Sequence, residues 1–204
     1  MTLRLYPKNT AFNSNLHKFL NLMKVGLTVF IAILLFGNTT NLDRFQKILR
    51  FENYRFDIIT TEWGAVRELN IRVFRDGQYL LNIKQKIDGY ATNTQIGDLN
   101  HNGSPEVYVY SCTYGSGSFG KIIGFEFYPS DFGAIKTEAL TPKFKAGYMG
   151  HDTFEVKDFQ MIRKFPIYKA GDANAQATGG TQTIYYDLRY VGNDLYLKVQ
   201  KATY

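Results

Sequence analysis

The strongest constraint on this chain is a two-residue alternation of apolar and polar side chains. Leu69, Ile71 and Val73 alternate with Asn70 and Arg72 and run into Asp76-Gly77. Successive side chains of a strand point to opposite faces, so this pattern presents one apolar face for burial. Asp-Gly supplies the positive φ angles that a two-residue hairpin turn needs, and Gln78 to Lys86 reads as the returning strand. The rhythm recurs where Ile184, Tyr186, Leu188 and Tyr190 alternate with Tyr185, Asp187 and Arg189. Gly192-Asn193-Asp194 then turns the chain, and Leu195, Leu197 and Val199 alternate with Tyr196, Lys198 and Gln200. Val107 to Tyr110, Ile122 to Tyr128 and Phe154 to Ile167 are further strand candidates. An aromatic share of 16%, with 15 Tyr and 16 Phe, suits pleated surfaces. The expectation is an all-β, antiparallel sandwich or barrel-like domain of about eight strands with short helical turns.

Three stretches break the rhythm. Leu42, Phe45, Ile48 and Leu49 share one helical face, so residues 42–50 read as a short helix or as the lead-in to the domain. Pro129 to Gly150 has no sustained period and leaves room for a helical turn around Thr137 to Leu140. Ala170 to Gly180 is small and polar and reads as an ordered Ω-like loop or a mobile one. With no internal repeat and no linker, residues 40–204 read as one domain.

The first 39 residues read differently. Arg4, Lys8, Lys18 and Lys24 precede an uncharged apolar run from Val25 to Phe36, and Gly37, Asn38, Thr39 and Thr40 follow. A basic start, a short apolar stretch and small residues are the parts of a secretory signal. We read residues 1–39 as that signal, with Met23 as an alternative start. An uncleaved leader reaching back to Phe19 would anchor the chain to a membrane, its only route to one. The leader holds four of the 24 Lys and Arg and none of the 18 Asp and Glu, so the rest of the chain carries about +2. That balance leaves no basic stripe and argues against a nucleic-acid partner. A single cysteine excludes a disulfide framework and a Cys-rich zinc site.

Three local features carry candidate chemistry. Asp98, Asn100 and Asn102 place side-chain oxygens at alternate positions, Gly103 follows, and Glu106 comes next in reach. Two readings stay open: a calcium loop, in which convergent oxygens hold a hard cation, or an Asx-rich turn whose side chains bond their own backbone. Position twelve is Val109 where a helix-flanked calcium loop has Glu. The second feature is Tyr114-Gly115-Ser116-Gly117-Ser118-Phe119-Gly120, a low-bulk loop with hydroxyls and amides to offer. It ends without Lys and opens no helix, so it is no phosphate cradle. The third is Gly147-Tyr148-Met149-Gly150-His151-Asp152. His151 beside Asp152 suggests a general base, yet no nucleophile accompanies it, and Cys112 sits in a strand pattern that favours burial. A non-enzymatic chain is expected, with His151 bonding a partner or a neighbouring loop.

Residues 97–110, the loop Gly115 to Gly120, the stretch Gly147 to Asp152, Phe165 to Asn174 and Thr178-Gly179-Gly180-Thr181 together resemble the bacterial periplasmic inhibitors of invertebrate-type lysozyme. The resemblance spans roughly Glu52 to the C-terminus. It implies a secreted or periplasmic β-sandwich-like domain that blocks a lysozyme active site, a means of evading host defence. No cofactor is expected to be required, calcium stays an option on the residues of the Asp98 loop, and a homodimer is allowed. The family presents a Ser-Gly-x-Tyr loop to the cleft, and Ser116, Gly117 and Ser118 match its first three positions. Phe119 departs, because the family Tyr is replaced by a ring without a hydroxyl. Ser116, Gly117, Ser118 and Phe119 with Tyr114 are thus the expected partner contacts, and Tyr148 and His151 the expected rim. The alternative is a calcium-stabilised envelope or glycan-binding domain without inhibitory activity, its metal held by Asp98, Asn100, Asn102 and Glu106.

Overall fold

A computed structural model describes residues 44–61 and 64–204. The leader and the alternative start at Met23 lie outside the described residues.

The described chain is all β, with twelve strands in two sheets and no helix. The first sheet is an antiparallel meander of β1 (Gln46–Phe51), β2 (Tyr54–Thr60), β3 (Val66–Arg75) and β4 (Gln78–Asp88). Residues 46–51 therefore form an edge strand and not the helix that their spacing allowed. Pairing with β2 decides the matter: Leu49 packs toward the core while Ile48 is left 53% exposed. The β3–β4 turn is as expected, with φ of 51° at Asp76 and 79° at Gly77.

The second sheet holds eight strands: β5 (Tyr90–Gly97), β6 (Glu106–Cys112), β7 (Gly120–Phe127), β8 (Phe132–Thr137), β9 (Thr153–Lys157), β10 (Gln160–Pro166), β11 (Thr181–Val191) and β12 (Asp194–Thr203). Their order is β5-β6-β7-β8-β12-β11-β10-β9, and only β8 and β12 run parallel. The sheet curls into a nearly closed barrel. At its seam the Gln95 side chain stands in for a missing ladder bond, accepting from Val156 N at 2.8 Å and from the Tyr110 hydroxyl at 2.7 Å.

Twelve strands replace the expected eight: β1, β2, β5 and β8 join the expected set, and one expected strand is divided. Phe154 to Ile167 is two strands, β9 and β10, joined at Asp158-Phe159 with φ of 50° and 59°. A phenylalanine in a left-handed turn gives no sequence signal for a hairpin. No helical turn forms at Thr137 to Leu140. Thr137 ends β8, Glu138 N bonds Leu197 O, and the turn comes later, where Lys145 N bonds Thr141 O.

β6 explains how the sheets pack. Its residues 106–111 are all buried. Val107 and Val109 face a core with Phe56, Ile58, Leu69, Ile71, Val73, Phe125 and Phe127. Tyr108 and Tyr110 face the opposite way and fill the barrel with Met161, Ile184, Tyr186, Leu188, Leu195 and Leu197. Each such side chain stabilises the fold by roughly 1.5–3 kcal/mol.

The antiparallel connectivity sorts the barrel's loops by end. The β6–β7, β8–β9 and β10–β11 loops leave one end, and the β5–β6, β7–β8, β9–β10 and β11–β12 connections leave the other.

Candidate functional site

The Gly/Ser loop between β6 and β7 is closed at its base by two bonds. Thr113 N donates to Phe119 O, and Phe119 N to Thr113 Oγ1, both at 3.1 Å. Within it Ser118 takes φ of 44°, and both its N and its Oγ turn to Gly115 O, at 3.3 and 3.4 Å. Ser116 at the tip is exposed, and its hydroxyl makes no bond to the described chain. Phe119 is 45% exposed, with its ring edge-on to Tyr148 at 5.6 Å.

The loop lies on the β8–β9 loop. His151 N donates to Gly117 O at 3.0 Å and to Ser118 O at 3.2 Å. Beneath that contact sits Asp152, whose side chain has no exposed surface. Its Oδ2 accepts from Gly120 N at 2.7 Å and from the Tyr148 hydroxyl at 2.6 Å, and its Oδ1 from Arg163 Nε at 2.7 Å. Arg163 Nη2 closes the ring of contacts by donating to the Tyr148 hydroxyl at 2.9 Å. Burial works against the Arg163 charge, but the Asp152 carboxylate outweighs it and holds the guanidinium pKa above its ordinary value. Burial and the Asp152 carboxylate likewise raise the Tyr148 phenol.

The third loop at this end, between β10 and β11, is ordered around Asp172. Lys169 N, Thr178 N and Thr178 Oγ1 donate to its carboxylate at 2.7–2.8 Å, and the two amides hold its pKa below the usual range. Asn174 then reaches across and donates from Nδ2 to Ser116 O at 2.6 Å. From the first sheet, Arg67 Nη2 donates to the Tyr114 hydroxyl at 2.6 Å, while the Tyr114 ring lies 5.3 Å from Tyr90.

The structure thus gathers Tyr114, Ser116, Gly117, Ser118, Phe119, Tyr148 and His151 at one end of the barrel, in unequal roles. Ser116 and Phe119 are presented outward. The Tyr148 hydroxyl is engaged inside, and His151 supports the loop through its backbone amide. The His151 ring bonds neither Asp152 nor Cys112, so a triad-like base lacks its orienting partner. Arg163, Asn174 and Arg67 escaped the sequence reading. A lone Arg in a strand, a lone Asn in a polar loop and a lone Arg beside a turn carry no motif, and only the register brings them to the loop.

The Asp98 loop lies at the other end and satisfies itself. Asp98 accepts from Asn102 N and Gly103 N, each at 3.0 Å, and Asn102 Oδ1 accepts from Ser104 N at 2.8 Å. The Asn100 and Asn102 amides donate to Glu126 at 2.7 and 2.8 Å. Glu106 is fully buried and accepts from Leu99 N with both oxygens. Burial pushes its pKa up to about 8. With backbone and amide donors facing these acceptors, the segment has the bonding of an Asx turn. Among the described residues no group of three or more His, Cys, Asp or Glu is disposed to hold a metal ion. Compared with protein-family models, curated proteins and solved structures, the chain matches none.

Proposed function

We propose that this chain is a secreted or periplasmic, non-enzymatic inhibitor that inserts the Ser116 loop into the active-site cleft of a lysozyme. The resemblance to the inhibitors of invertebrate-type lysozyme names the partner class. The supporting observation is a free hydroxyl, Ser116 Oγ, at the exposed tip of a loop whose backbone is held on both sides by His151 N and Asn174 Nδ2. A lysozyme cleft carries two carboxyl groups and many sugar-binding polar groups. A hydroxyl that donates to a carboxylate makes a charge-assisted bond, which is among the stronger ones. A loop already fixed in place loses little further conformational entropy on binding, so more of the contact energy appears as affinity.

The test is a titration against invertebrate-, chicken- and goose-type lysozymes with a cell-wall substrate. The expected result is competitive inhibition of the invertebrate type, weakened at least tenfold by Ser116→Ala. Full lysozyme activity at excess protein for all three types would refute the reading.

A further inference from the structure

The two ends of the barrel differ in charge. The connections at the Asp98 end, residues 98–105, 128–131, 158–159 and 192–193, contain Asp98, Asp131 and Asp158 and no Lys or Arg. The loops at the Ser116 end contain three acidic side chains, and each is matched. Asp152 is paired with Arg163, Glu138 with Lys198 Nζ and Val199 N, and Asp172 with main-chain amides and the charge of Lys169. Lys143 and Lys145 are exposed in the β8–β9 loop. Lys143, Lys145 and Lys169 with Arg163 and Lys198 of the adjoining strands outnumber the three acidic side chains, whereas at the opposite end Lys157, at the end of β9, stands against three; the Ser116 end is the more cationic of the two.

We propose that the β6–β7, β8–β9 and β10–β11 loops form one contact surface for an acidic concavity, with Asn174 tying the third loop to Ser116. Naming that concavity a lysozyme cleft rests on the function proposed above; the surface and its charge preference do not. Ser116 projects at the centre, Phe119 and Met149 supply exposed apolar area, and Lys143 and Lys145 supply the positive rim. Opposite charges steer two surfaces together and screen out cationic competitors. Lysozymes with an acidic cleft rim are accordingly preferred over strongly basic ones.

The probe is a hexa-aspartate peptide added to the isotope-labelled protein at low salt, read by backbone amide shifts. The largest shifts are expected in residues 115–118, 143–150 and 169–177, and they should collapse in about 0.3 M salt and in the K143E/K145E double variant. Both lysines are exposed, so the variant keeps the fold. Shifts centred on residues 98–105, shifts that survive the double variant, or self-association of the protein at low salt would overturn the proposal. In parallel, Asn174→Ala should speed amide exchange at Ser118 and His151, whose N–H groups bond Gly115 O and Gly117 O in the loop that Asn174 holds at Ser116 O, at least tenfold; unchanged exchange would remove Asn174 from the surface and overturn the three-loop arrangement. If the shifts appear as expected while no lysozyme is inhibited, the inhibitor reading fails and the acidic-partner surface stands.

Discussion

Gly150 lies so close beneath Gly117 that a β-carbon on Gly150 would stand 1.6 Å from the Gly117 carbonyl oxygen. That residue also has φ of 93°, which side chains other than hydrogen rarely adopt. The loop that carries Ser116 thus rests on a backbone-to-backbone contact that only glycine permits. Gly150→Ala should displace the loop, abolish inhibition, and destabilise the protein by about 1–3 kcal/mol. Thermal melting with an inhibition assay checks this; an alanine variant with unchanged inhibition would show that the contact does not set the loop.

Phe119 is the position where one hydroxyl would add most. The nearby hydroxyls are engaged: Ser118 turns to Gly115 O, Tyr114 accepts from Arg67, and Tyr148 bonds Asp152. A buried acceptor in the partner facing Phe119 would be left unpaired, at a cost of about 1–3 kcal/mol. Phe119→Tyr should therefore tighten inhibition roughly five- to a hundredfold. An unchanged inhibition constant would show that no such acceptor faces the ring.

Asp152 and Arg163 should be coupled in stability. Removing one member leaves a buried charge alone, at about 3–5 kcal/mol. Asp152→Ala and Arg163→Met should each cost that much, and the double variant distinctly less than their sum. Denaturant unfolding of the four proteins completes the cycle; additive losses would mean that the pair does not interact as the geometry implies.

Glu106 gives the pH dependence a sign. Its folded pKa, up to about 8, lies above the ordinary carboxyl value, chiefly through burial. The folded state binds this proton more tightly, so its stabilisation is complete at acid pH and lost as pH rises toward 8. Each pH unit within that interval costs up to about 1.4 kcal/mol from this group. Unfolding at pH 5 and pH 8 should show a loss that Glu106→Gln largely removes, since the amide keeps an acceptor for Leu99 N. An equal loss in the variant would assign the effect to other groups.

Phe159 holds φ of 59° in a two-residue turn and is 59% exposed, with its ring 4.2 Å from His101. Glycine suits that backbone and an Asp-Gly turn. Phe159→Gly should raise stability by about 1 kcal/mol, visible as a higher melting temperature. A lower melting temperature would show that the His101 contact outweighs the relieved turn.

The strands with clean alternation were legible because each buries one face: β3, β11 and β12 follow their apolar positions. β1 and β9 were not. They are edge strands in which Ile48 is exposed and Phe154 and Val156 only half buried, so burial leaves a faint period. At the site, the Gly/Ser loop was visible from composition, since few other sequences stay this small and polar between two strands. Its supports were not. Arg163 and Asp152 are eleven residues apart in sequence and Asn174 is 58 residues from Ser116, and a strand register that sequence patterning does not encode brings them together.

β6 buries side chains on both of its faces, so the barrel filling and the inter-sheet layer share one backbone. Neither layer can melt while the other persists, because releasing Val107 and Val109 also releases Tyr108 and Tyr110. The molecule should unfold in a single transition, and a fragment beginning at Tyr90 would expose an oily wall and precipitate. The stiffness felt at the tip of the Ser116 loop is, in that sense, inherited from a strand that ends only a few residues earlier in the chain.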